Sequence, residues 1–268
     1  MLALAIGGRA VARRVTTLTW SRASATNLVA TRGAPRVWLV AHLDSKSQPI
    51  PMLVRIAGII ATAAVVVVLI ALALRAMAGA DIPPRAWQLT AIVGVVTSLP
   101  IIASTVGARS PGALDNGSGV VTVLLAAESL PPGMPLGILL TSAEELGMAG
   151  ARAFAAARPP AMAINVDGVD DRGATLCMYH GRAARVRVGV ARAARAIGMR
   201  VTERPTIPGL LTDGIALADA GWSAVTISRG GLGTLWRIHR AADVAVRLRG
   251  SGMHDVARLV ASAAREIA

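Results

Sequence analysis

The stretch Gly137–Phe154, GILLTSAEELGMAGARAF, decides how the rest of the chain is read. It opens within a continuous apolar run, Leu136–Thr141, of the kind that forms a strand buried on both faces. The run leads into two adjacent glutamates, Glu144 and Glu145, and then into a glycine- and alanine-rich segment, Met148–Ala157, with a helical pattern. Strand, acidic turn and helix make up the repeating unit of an α/β sheet, which carries its chemistry at strand ends and in the loops after them. Two neighbouring carboxylates at the end of a buried strand repel each other and lose hydration, and a cation relieves both. The helix dipole also favours such a pair on a first helical turn, so the stretch alone admits both readings.

Working outward, strand-like runs occur at Asn27–Thr31, Arg36–Ala41, Ala163–Val166, Thr175–Tyr179 and Ala224–Ser228. Helical patterns occur at Val120–Leu130, Arg182–Ile197 and Asp255–Ile267. This alternation predicts an α/β fold, a twisted mixed sheet sandwiched by helices. Two segments interrupt it. Ile56–Leu74, IAGIIATAAVVVVLIALAL, and Trp87–Val106, WQLTAIVGVVTSLPIIASTV, carry no charge and are flanked by Arg55, Arg75 and Arg109. Each approaches the roughly 20 apolar residues that cross a hydrocarbon core of about 30 Å. The link Arg75–Ala86 is short and contains Pro83 and Pro84 as breakers. A transmembrane helical hairpin is the economical reading; the alternative, two buried core helices, needs protein on every side. The chain then divides into residues 1–52 and 108–268, which together build the α/β domain, and an inserted hairpin over 53–107. The N-terminus, MLALAIGGRAVARRV, has no basic residue before its short apolar run and no tidy cleavage site. It fits a secretory signal poorly and is read as a short helix or mobile arm.

The chain of 268 residues carries a formal charge of +13, with Lys46 its only lysine and its arginines scattered. Aromatic residues make up 3%, which leaves little surface for base stacking, so nucleic acid is not an expected partner. The charge reads as compositional bias with some attraction to an anionic membrane. Cys177 is the single cysteine, which excludes an internal disulfide and a thiolate metal cluster.

Besides Glu144-Glu145, four stretches place acids or imidazoles at strand ends. In RVWLVAHLDS, His42 and Asp44 stand two apart and point the same way on a strand, as a metal ligand and its orienting carboxylate would. Alone, the pair reads more readily as a polar turn at a strand end. In SPGALDNGSGV, Asp115 sits in a glycine-rich loop before a helix and could instead merely cap it. Asp167 ends the strand in AMAINVDGVDD, with Asp170 and Asp171 behind it, and His239 and Asp243 lie four apart in TLWRIHRAADVA. His180, His254 and Asp213 are spare candidates. Two histidines and three or four carboxylates without sulfur suit Zn²⁺ or another first-row divalent ion. A further carboxylate is what metal-assisted hydrolysis uses as its base.

The order AHLD, GALDNGSG, EELGMAG, a strand-end Asp and HRAAD resembles the co-catalytic di-zinc aminopeptidases, family twenty-eight of the metallopeptidases. Their relatives include glutamate-carboxypeptidase-like proteins and glutaminyl cyclases. The resemblance extends to TNLVATRGAPRVWLVAHLDS, which is similar to the family's paired early strands, and covers most of the chain outside the hairpin. It implies a zinc-exopeptidase-like fold and two zinc ions. His42 and Asp167 would hold one ion, Glu145 and His239 the other, and Asp115 would bridge them. Glu144 would be the general base and Asp44 would orient His42.

Three departures stand out. The hairpin lies between His42 and Asp115, where the family has a short loop. The family's Ser-Asp-His reads Thr212-Asp213-Gly214, so a pocket histidine is missing. The chain without its hairpin is also short for helices that wall the cleft in larger members. Two crossings return the chain to its starting face, so the insertion is compatible with one shared site. Arg36, Lys46, Arg55 and Arg109 flank the spans on the domain side, against Arg75 and Arg85 on the link, which places the domain in the cytoplasm. The expected protein is therefore a two-pass membrane-anchored, zinc-dependent aminopeptidase-like enzyme acting on a peptide or small amide. A glutaminyl-cyclase-like acyltransferase and a non-catalytic membrane protein on the same fold are the alternatives.

Overall fold

A computed structural model describes residues 24–181, 183–207 and 209–268. The helix or arm expected at Met1–Val15 lies outside the described residues. The chain forms two compact units. One comprises the residues up to Ser45, Pro111–Gly231 and Asp243–Ala268; the other comprises Lys46–Ser110 and Leu232–Ala242.

The first unit is built on a mixed sheet. Its strands are β1 (Leu28–Arg32), β2 (Val37–His42), β3 (Leu136–Thr141), β4 (Met162–Val169), β5 (Ala174–Tyr179), β6 (Val201–Pro205) and β7 (Ser223–Gly230), ordered β1-β3-β2-β4-β7-β5-β6. The central strands β3, β2, β4 and β7 are parallel; β1 and β5 pair antiparallel with β3 and β7. The α-helices, in chain order, are α1 (Met52–Met77), α2 (Pro84–Ile102), α3 (Ser118–Glu128), α4 (Ala149–Ala156), α5 (Ala184–Ala196), α6 (Asp213–Asp219), α7 (Leu232–Arg237) and α8 (Ser251–Ile267).

Strand side chains alternate between two apolar layers. Val37, Leu39, Ala41, Ile164, Val166 and Ile227 face α3, α5 and α8, meeting residues such as Val123, Val190 and Val260. Trp38, Val40, Leu139, Ala163 and Ala224 face the other way, onto Phe154 of α4, Leu217 of α6 and Trp222. Trp38 and Phe154 meet edge to face at 4.9 Å between ring centroids. Trp38 pairs in register with Gly137, where a Cβ would stand 2.3 Å from the indole, so the glycine is what lets the large ring lie flat across the neighbouring strand. The sheet is thus sandwiched between helices, as the alternation implied. β6 is absent from the sequence-based expectation because VTERP is a largely exposed edge strand with no apolar alternation and a terminal proline. α6 and α7 have seven and six residues, too few to show a helical period.

The second unit is organised by α1 and α2. They pair antiparallel: Gly58 lies against Thr97 and Pro100, Gly94 against Val65, and the Thr62 hydroxyl donates to Thr97 Oγ1 at 3.2 Å. Small residues at the crossing let the backbones approach. Both helices are long and apolar enough to cross a membrane, and their most apolar windows are 11% and 0% buried among the described residues. Protein that would bury them as core helices is therefore not found there. α2 stops at Ile102 rather than Val106; Pro100 cannot donate within the helix, and Ser104 Oγ bonds the Pro100 carbonyl at 2.6 Å. At the foot of the hairpin, Ser47 and Gly107 exchange two backbone hydrogen bonds of 2.7 and 2.9 Å, so the chain leaves and returns at one end.

Candidate metal centre

The carboxyl ends of three adjacent parallel strands supply the site in the first unit. His42 is the last residue of β2, Asp167 lies near the end of β4, and Glu144-Glu145 follow β3. Asp115 arrives on the irregular turn Ala113–Gly117 before α3. His42 Nε2 is 3.2 Å from Asp115 Oδ1 and 3.7 Å from Asp167 Oδ1. Potential ligand atoms of His42, Asp115 and Asp167 all lie within 4.8 Å of one another, and carboxylate oxygens of Asp115 and Glu145 approach equally closely. The ligands of a tetrahedral zinc with bonds of about 2.0–2.1 Å stand about 3.3 Å apart, so this cluster of N and O donors fits the ion.

The electrostatics point the same way. Burial alone would lower the His42 pKa, but hydrogen bonding to Asp115 and Asp167 and the negative field of Asp167 and Glu144 hold it well above its ordinary value. Burial raises the Glu144 carboxyl well above the carboxylate range; His42 opposes the rise, and Asp167, Asp213 and Glu145 add to it. Burial likewise raises Asp167. Asp213 lies fully buried at the end of β3, receives a hydrogen bond from the Thr141 hydroxyl, and is pushed up to about 7, chiefly by desolvation. Several desolvated carboxylates around one imidazole raise one another's pKa, a conflict that a bound divalent cation removes.

The surrounding contacts show how the donors are held. His42 Nδ1 donates to the main-chain carbonyl of Asp44 at 2.9 Å, which leaves Nε2 facing the acids, while the Asp44 carboxylate is 3.8 Å away. That carboxylate accepts the backbone N–H groups of Glu144 and Glu145, each at 3.1 Å. It thereby closes the acidic turn, whose preceding residue, Ala143, takes φ +57°. Asp243, 3% exposed, plays the same part for the Asp115 loop, its oxygens accepting from Leu114 N at 2.7 Å and Asp115 N at 3.2 Å. Asn116 ties that loop to β4, donating to Val166 O and accepting from Gly119 N and Gly168 N. Asp243 and Asn116 stand in quoted motifs, but nothing in their local spacing announced these long-range contacts.

Asp171, His180 and His254 serve elsewhere. Asp171 accepts from Arg249 N, Ser251 Oγ and Gly252 N and so caps α8. His180 pairs with Asp219 at 3.4 Å, and His254 is exposed on α8. His239 belongs to the second unit. It is 6% exposed, has φ +62°, and sets its Nδ1 3.1 Å from Gln48 Oε1.

The model of Peptidase family M28 matches residues 98–264, more than half of the chain. The chain belongs to peptidase family M28. His42 and Asp44 precede the matched region, yet the fold brings His42 onto Asp115 and Asp167. Solved structures share the M28 chain's fold at low identity. A zinc aminopeptidase from Bacillus subtilis superposes with a TM-score of 0.57 at 18% identity, covering 88% of this chain and 48% of that one. The Legionella pneumophila LapA aminopeptidase gives 0.56 at 14% identity, over 99% and 62%. A Fimbriiglobus ruber glutaminyl cyclase gives 0.54 at 18% identity, over 90% and 74%. The chain spans about half the length of the Bacillus enzyme. No curated protein matches it.

Proposed function

We propose that this M28 protein is a membrane-anchored, zinc-dependent exopeptidase, aminopeptidase-like in its substrate class of peptides or small amides. The reading rests chiefly on the convergence of His42, Asp115 and Asp167 beside a buried glutamate, at the strand ends of a family M28 chain. In it, His42 and Asp167 hold one zinc, Asp115 bridges, and Glu145 with His239 holds a second, the last assignment coming from the motif order. Bound zinc would supply Lewis acidity, polarising the scissile carbonyl and acidifying the attacking water. Glu144, desolvated and raised in pKa, takes that water's proton and delivers it to the departing amine. Asp44 keeps Glu144 in place through the turn it closes. The apolar hairpin passes twice through the bilayer, and the excess of flanking Arg and Lys on the domain side favours a cytoplasmic catalytic domain.

The test pairs zinc analysis of detergent-purified protein with hydrolysis of a panel of aminoacyl amides. Glu144→Gln should retain zinc and lose about 10²–10⁴-fold in kcat. Unchanged turnover in that variant would refute the assignment. Zinc near one per chain together with cyclisation of N-terminal glutamine would favour the glutaminyl-cyclase reading instead.

A further inference from the structure

The foot of the hairpin carries a hydrogen-bonded relay that the peptidase reading does not use. Gln48 follows the Ser47–Gly107 bridge and is 7% exposed. Its backbone N–H donates to the His239 carbonyl at 2.7 Å, and its side-chain Oε1 faces His239 Nδ1 at 3.1 Å. The same Oε1 accepts from Nη1 of Arg55, which stands in the first turn of α1. Gln48 therefore grips both the main chain and the ring of a residue 191 positions away.

The chemistry of the three groups leaves one neutral tautomer of His239. A guanidinium has only donors, so the Gln48 atom that meets it is the carbonyl oxygen and not the amide nitrogen. That oxygen accepts, so His239 Nδ1 must be the protonated nitrogen. In the neutral ring the lone pair then sits on Nε2, the form in which a histidine ligates a metal through that atom. His239 also holds φ +62°, an uncommon conformation for a residue with a Cβ, and its clasped carbonyl helps to maintain it.

We propose that Gln48, locked by Arg55 at the foot of the first apolar helix, is the positioning residue that fixes the tautomer and orientation of His239 as a zinc ligand. This rests on the reading of His239 as the imidazole of the second ion. The hairpin is then more than an anchor: its first turn supplies the cation that sets the Gln48 amide, and the amide sets the ligand. The orienting group is a neutral carboxamide that also accepts from a guanidinium, so it raises the basicity of the imidazole less than a carboxylate would.

The test uses the full chain in detergent, with zinc titrated into metal-stripped protein and ¹⁵N-histidine NMR reporting tautomers in the metal-free state. Wild type should take two zinc ions and show His239 as the Nδ1–H form. His239→Ala should take one. Gln48→Leu should keep the first ion, weaken the second by about 10–100-fold and give mixed tautomers. Gln48→Glu, which still accepts from both neighbours, should restore the second ion. If Gln48→Leu fails to fold, Arg55→Met carries the test, because it leaves Gln48 in place but frees the amide to turn; the same loss at the second ion is expected. Wild-type zinc affinity and a pure Nδ1–H tautomer in Gln48→Leu, or in Arg55→Met if that variant carries the test, would overturn the proposal while His239→Ala still loses one ion. Two ions in His239→Ala would overturn the ligand assignment itself.

Discussion

Asp44→Asn separates two jobs that one residue could hold at a metal site. In the structure His42 is oriented by the Asp44 main-chain carbonyl, which the substitution leaves untouched. The carboxylate accepts the Glu144 and Glu145 N–H groups at 3.1 Å each. An asparagine can satisfy one of them with its oxygen, but it turns an NH₂ toward the other. A hydrogen bond to a charged acceptor contributes about 1.5–3 kcal/mol net. The Asp44 side chain is 24% exposed, so water recovers part of the loss, leaving about 1–2 kcal/mol. If that energy holds Glu144 in its working position, kcat should fall about 5–30-fold. Zinc affinity at the His42 ion should stay within about twofold, which is about 0.4 kcal/mol. The assay is zinc titration followed by turnover of an aminoacyl amide by fully loaded protein. A variant that binds zinc poorly but turns over normally once loaded would refute the reasoning, because it would show Asp44 acting through His42 and not through the acidic turn.

The other expectations concern the scaffold. Asp171→Ala removes the cap of α8 and should cost about 1 kcal/mol in denaturant unfolding at neutral pH. Burial raises the Asp171 pKa slightly, but its hydrogen bonds from Arg249, Gly252 and Ser251 outweigh this and hold it below the ordinary value. Its stabilisation is therefore fully present above the unfolded value of about 3.9 and fades as pH falls through the lower folded value, so wild type and variant should converge in strong acid. Cys177 is 1% exposed and its thiol is pushed up to about 12, chiefly by burial. Iodoacetamide at pH 8 should leave it unmodified in the native protein and label it after unfolding; rapid native labelling would contradict its placement between β5 and the helices.

What could be read in the linear chain, and what could not, follows from the range of each interaction. The central strands announced themselves because both faces of the sheet are covered, which leaves uninterrupted apolar runs in β2, β3 and β4. His42, Glu144 and Asp167 were legible as polar residues terminating such runs. The division of labour among the acids was not. Asp243 finds Leu114 129 positions away and Asp44 finds Glu145 101 positions away, distances over which periodicity carries nothing. The structure supplies the missing criterion. Asp44, Asp171 and Asp243 each spend their oxygens on backbone N–H groups, so their charge is satisfied by the chain and they hold loops. Asp115 and Asp167 turn instead toward one imidazole, and Asp167 and Glu144 are desolvated and raised in pKa by their surroundings. An acid that the main chain satisfies needs no ion, whereas acids that burden one another are complete only with a cation. That distinction, more than the number of carboxylates in the motifs, separates the metal site from its supports.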